Sequence, residues 1–121
     1  MKKLILMLAV SLLGIAGATQ AASPLVDVAW VKANTGKAGI VFLDFRGNAA
    51  YLRGHVPGAI HSNYGKDGWR EKNSEGIIGM IPSQNKLAAL IGGLGIGNGD
   101  HVVLLPAGNS SSDMGVGTRV Y

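Results

Sequence analysis

From the N-terminus the chain presents Lys2 and Lys3, then an apolar run from Leu4 to Ala18 broken only by Ser11 and the small Gly14 and Gly17, then small residues. That run falls short of the roughly 20 apolar residues of a membrane span and suits the apolar stretch of a secretory signal. Cleavage is expected after Ala18, Ala21 or Ala22, with Ala21 favoured, giving a signal peptide over 1–21 and a domain over 22–121. The product is expected to be periplasmic or secreted, with no stable membrane anchor after cleavage.

Beyond Ser23-Pro24, the apolar Val26, Val28, Ala29, Trp30 and Val31 predict an extended lead-in and then a helix, capped by Asp27 and ending near Asn34 to Gly36. Ile40 to Phe45 is almost continuously apolar between Gly39 and Gly47, which predicts a strand buried on both faces, as in a parallel sheet. A short helix is expected over Asn48 to Arg53, halted by Gly54 and Pro57-Gly58, with Ala59 to Tyr64 extended again. Gly65 to Gly79, polar and glycine-rich, predicts a surface excursion. Ser83 can cap a helix reaching Gly92 or Gly93, with Leu87, Leu90, Ile91 and Leu94 on one face. His101 to Leu105 predicts a second buried strand, ended by Pro106 and followed by a loop over Ala107 to Thr118. Strands alternating with helices predict an α/β domain with a mainly parallel sheet.

Composition then removes whole classes of chemistry. A chain of 121 residues with no cysteine forms one domain at most, and has no disulfide, cysteine zinc site, iron–sulfur cluster or cysteine nucleophile. The 11 Lys+Arg against 7 Asp+Glu give +4, but Lys2 and Lys3 belong to the signal. No basic cluster or aromatic ladder follows, so nucleic acid is not an expected partner. His55, His61 and His101 lack metal-ligand spacing. No cofactor is expected either: the Gly93 to Gly99 series precedes a strand and breaks the dinucleotide spacing, and no lysine completes a P-loop. Gly108-Asn109-Ser110-Ser111-Ser112 lacks the second glycine of a nucleophile elbow, and no histidine follows it.

Ligands of open α/β sheets bind beyond the carboxyl ends of the strands, which directs attention to the segment after Leu105. Gly108, Gly115 and Gly117 allow backbone N–H groups to turn inward. With Ser110, Ser111 and Ser112 as hydroxyl donors and Arg119 as a fixed cation, the candidate anion-binding residues are Gly108, Asn109, Ser110, Ser111, Ser112 and Arg119. A solvated loop without a ligand is the alternative for the same composition.

The most specific segment is Asp44-Phe45-Arg46, followed by Tyr51-Leu52-Arg53-Gly54-His55-Val56-Pro57-Gly58-Ala59-Ile60. Asp44 and Arg46 at a strand end can hold the next turn by charge-assisted hydrogen bonds. Gly54 relaxes the backbone at a helix end, Pro57-Gly58 makes a tight turn, and His55 suits a hydrogen-bonded turn residue rather than a catalytic base. This pattern resembles the D-x-R and Y-x-x-G-H-x-P-G-A-x signature of the rhodanese-like sulfurtransferases. Pro82 to Leu105 is similar to that family's helix, turn and central strand.

The resemblance implies an open, mainly parallel sheet flanked by helices, with Asp44, Arg46, Tyr51, Gly54, His55, Pro57 and Gly58 as structural motif residues. It also implies sulfane sulfur transfer from thiosulfate or 3-mercaptopyruvate to cyanide or a thiol. Active members carry that sulfur on a cysteine at the start of the loop after the central strand. Here Pro106 follows the strand and no cysteine exists. Serine and aspartate cannot carry persulfide sulfur, so no catalytic residue is expected in this chain. A phosphatase of the same fold needs the same cysteine; Asp113 and Arg119 reproduce only its spacing, and a carboxylate there would repel an anionic substrate.

The chain is most similar to the cysteine-less N-terminal half of a tandem sulfurtransferase, incomplete in that its C-terminal helix and last strand are expected to be missing. In that family the last strand lies between the first strand and the central one. The implied partners are a small sulfur-containing anion or a cysteine-bearing second rhodanese domain. The alternative is a stand-alone, non-catalytic rhodanese-fold module that holds an anion or a protein.

Overall fold

The computed structural model describes residues 23–121; the predicted signal peptide lies outside the described residues. The apolar run identified as a doubly buried strand is β1, Ile40–Asp44, and it lies at the centre of a three-stranded parallel sheet. On one side β1 pairs with the two-residue β2, Ile60–His61, in the register Leu43↔Ile60 and Asp44↔His61. On the other it pairs along its whole length with β3, His101–Leu105, from Ile40↔His101 to Asp44↔Leu105. Successive side chains of a strand point to opposite faces, so Leu43 enters one core cluster with Phe45, Trp69 and Ile96, while Phe42 enters the other with Ala59 and Val103. Four helices connect and cover these strands: α1 (Val28–Asn34), α2 (Asn48–Arg53), α3 (Gln84–Gly93) and α4 (Ser111–Val120). Helices α3 and α4 cover the Leu43 face of the sheet and residues of α1 and α2 cover the Phe42 face, which is why the sequence of β1 is apolar rather than alternating. The expected caps form. The Trp30 N–H donates to Asp27 Oδ1 at 2.7 Å, and Ser83 Oγ accepts from the Lys86 N–H. Leu87, Leu90, Ile91 and Leu94 pack on the Leu43 cluster, as the helical spacing predicts, while Trp30 and Val31 pack on the Phe42 cluster. No helix among the described residues is long and apolar enough to cross a membrane.

Three segments differ from expectation. The extended stretch after Gly58 is a strand only at Ile60–His61, because Asn63 turns the chain: its N–H donates to Asp67 Oδ2 at 2.6 Å. The excursion over Gly65 to Gly79 is not purely a surface feature. Trp69 within it is 7% exposed, lies edge-on to Phe45 at 5.3 Å and donates Nε1–H to Ser62 Oγ at 2.8 Å, while Glu71 and Met80 form an antiparallel bridge. Finally, the loop expected over Ala107 to Thr118 ends at Ser110, and the C-terminal helix expected to be missing is present as α4. Ser110 Oγ accepts the Asp113 N–H and Asp113 Oδ2 accepts the Asn109 N–H, a near relative of the capping box. Val116 and Val120 then pack on the Leu43 cluster, which overrides the poor helix propensity of the Gly and Ser residues.

β3 is an edge strand, and of its five residues only Val103 is buried. Its free edge faces a groove of about 420 Å³ shared with the Ser23–Val26 stretch, Met114 and Tyr121. Among the described residues no strand lies between β3 and that stretch, where the resemblance implies the family's last strand.

Candidate functional site

The carboxyl ends of the three parallel strands bring together Asp44, His61 and the segment that follows Leu105. Asp44 is fully buried, and Arg46, two residues on, wraps back to it. The Arg46 N–H donates to Asp44 Oδ1 at 2.9 Å, Nε to both carboxylate oxygens at 3.0 Å, and Nη2 to Oδ2 at 2.7 Å. Nη2 also donates to the Gly54 carbonyl at 2.8 Å, so one guanidinium ties the end of β1 to the end of α2. Burial works against ionisation of Asp44, but the hydrogen bonds and charge of Arg46 outweigh it and hold the carboxyl below its ordinary value. His61 Nε2–H donates to the Arg46 carbonyl at 2.8 Å and closes the same turn.

The rest of the motif is scaffold in the same sense. Tyr51 donates its hydroxyl to the Ala59 carbonyl at 2.7 Å. His55 donates Nδ1–H to the Tyr51 carbonyl at 3.0 Å and stacks on the Tyr51 ring at 3.8 Å, as a turn residue would. Val56-Pro57-Gly58-Ala59 is a tight turn closed by the Ala59 N–H on the Val56 carbonyl at 2.9 Å, with Gly58 at φ +78°. Asp44, Arg46, Tyr51, Gly54, His55, Pro57 and Gly58 therefore form one connected unit between β1 and β2.

The candidate anion residues divide into two groups. The Asn109 N–H and the Ser110 hydroxyl are engaged with Asp113, and Gly108 turns the chain at φ +76°. These three do not line the hollow that opens beside Arg70. Ser111, Ser112 and Arg119 do: with Gly115 they border a hollow of about 350 Å³ whose other wall is Arg70. Arg70 was not legible as a site residue in the sequence. The available signal was its place directly after Trp69, whose burial brings it against α4. Among the described residues no group of histidine and carboxylate side chains is placed to hold a metal ion.

An intact D-x-R turn, a Y-x-x-G-H-x-P-G-A segment and an open parallel sheet flanked by helices define a rhodanese-like architecture. Residues 27–118 match the family model of the Rhodanese-like domain, and the chain belongs to that family. It is also 34% identical over 97 residues to a Synechococcus elongatus protein named "Putative thiosulfate sulfurtransferase", covering 76% of this chain and 28% of that relative. The chain thus spans little more than a quarter of that relative's length. No solved structure matches it. Within the family, this chain has the sheet and the motif but no cysteine.

Proposed function

We propose that this chain is the non-catalytic rhodanese domain of an exported sulfurtransferase that moves sulfane sulfur from thiosulfate or 3-mercaptopyruvate to cyanide or a thiol. In that chemistry a cysteine thiolate attacks the outer sulfur of thiosulfate, the S–S bond breaks and sulfite leaves. Cyanide then takes the sulfur from the persulfide as thiocyanate and regenerates the thiolate. The observation that carries the reading is a complete scaffold motif from Asp44 to Gly58 in a chain without a cysteine. The persulfide is then borne by a cysteine in a second rhodanese domain, and this domain supports it.

One surface feature favours a docked partner. Ile78 and Ile81, each 80% exposed, flank the half-exposed Met80 and continue from Ile77. An apolar run of this kind on a small domain is typical of a surface covered by another one.

The test is a thiosulfate:cyanide assay on the purified chain, with intact-mass analysis after thiosulfate treatment. No thiocyanate above background and no sulfur adduct are expected; turnover by the chain alone would overturn the reading. Export is tested by fractionation and N-terminal sequencing, with mature protein starting at Ala22 expected in the periplasm or medium.

A further inference from the structure

Two arginines from distant parts of the chain open onto one hollow. Arg70 belongs to the excursion that carries Trp69, and Arg119 lies near the end of α4; Ser111, Ser112 and Gly115 complete the lining. Ser111, Gly115 and Arg119 recur every four residues and so form one stripe along α4. The ion pairs formed among the described residues are Arg46–Asp44 and Lys86–Glu71, so neither Arg70 nor Arg119 has an acidic partner. Asp113, the one carboxylate on α4, is turned to the Asn109 N–H and does not line the hollow.

Arg70 is nonetheless held in place. Its Cζ lies 4.2 Å over the Tyr64 ring, a cation–π contact, and Tyr64 in turn meets Phe45 edge-on. Like charges facing one hollow repel unless an anion lies between them, and guanidinium forks suit the oxygens of a tetrahedral oxoanion. Gly115 keeps the floor open: a Cβ there would meet nothing within 4 Å.

We infer that the Arg70–Arg119 hollow binds a small divalent oxoanion of the sulfate or thiosulfate class, with the Ser111 and Ser112 hydroxyls as further donors. The site is independent of the sulfur-transfer reading, because sulfate has no sulfane sulfur to give.

The experiment is calorimetric titration of the full chain with sodium sulfate, then with thiosulfate as competitor, in low-salt buffer. Saturable binding of one sulfate per chain is expected, displaced by thiosulfate. Arg70→Gln and Arg119→Gln should each weaken it about tenfold, and Arg53→Gln, at an exposed arginine elsewhere, should leave it unchanged. Gly115→Leu fills the hollow while keeping both charges, and should abolish binding without lowering the thermal midpoint. Binding that fails to saturate, or that survives both arginine substitutions or Gly115→Leu, would overturn the site.

Discussion

Arg46 grips the Asp44 carboxylate with Nε and Nη2 while the same Nη2 donates to the Gly54 carbonyl, so a single side chain joins the end of β1 to the end of α2. The two partners are unequally placed: Asp44 is fully buried, whereas the Arg46 side chain is 30% exposed. Removing Arg46 therefore strands a buried carboxylate. Arg46→Ala should destabilise the domain by about 3 kcal/mol, a fall in Tm of at least about 12 °C. Arg46→Lys should recover only part, because an ammonium cannot reproduce the two-pronged donor. Circular-dichroism melts check both, and a loss under about 1 kcal/mol for the alanine variant would refute the assignment.

The same pair sets an acid limit. Asp44 has a lower carboxyl pKa in the folded state than in the unfolded chain, so the folded state binds that proton less readily. Its contribution is fully present above the unfolded carboxylate value of about 3.9 and is lost as pH falls through the lower folded value. Urea midpoints measured from pH 6 downward should drop below about pH 4. In Asp44→Asn, already less stable at neutral pH, that acid limb should be shallower; an identical slope in both proteins would count against Asp44 as its source.

Trp69 anchors the excursion to the core through Phe45 and Ser62. Trp69→Ala empties a buried site and should cost about 3–5 kcal/mol, enough to leave so small a domain largely unfolded. Trp69→Phe keeps most of the apolar contact but loses the Nε1–H bond to Ser62, for a cost of about 1–2 kcal/mol. Urea unfolding followed by circular dichroism would rank the two; equal losses would mean that the ring's apolar packing contributes nothing beyond the hydrogen bond to Ser62.

Gly58 isolates a backbone effect. It sits at φ +78° in the turn into β2, and a Cβ built there meets nothing within 4 Å. Gly58→Ala should cost about 1 kcal/mol, from left-handed backbone strain alone, and Gly58→Asn should cost less, since asparagine tolerates that region better. Thermal melts of the two variants provide the comparison, and an alanine variant as stable as the parent would show that the turn can change type.

What was legible in the sequence is what forms over short chain distances. The Asp27 and Ser83 caps, the Pro57-Gly58 turn, the fork between Asp44 and Arg46, and the double burial of β1 each depend on residues a few positions apart or on one strand's own pattern. The absence of cysteine needs no structure at all to exclude persulfide chemistry from this chain. Other features required the assembled domain. Ala107 to Thr118 reads as loop by composition, yet from Ser111 onward it belongs to α4, because Val116 and Val120 reach a core built by distant segments. Trp69 reads as part of a polar excursion and is drawn inward to the same core. Arg70 meets the α4 stripe as a result, and no local pattern links two arginines so far apart in the chain. Local rules of capping, turn chemistry and periodicity act within a few residues, whereas burial of a shared apolar core chooses which distant residues become neighbours.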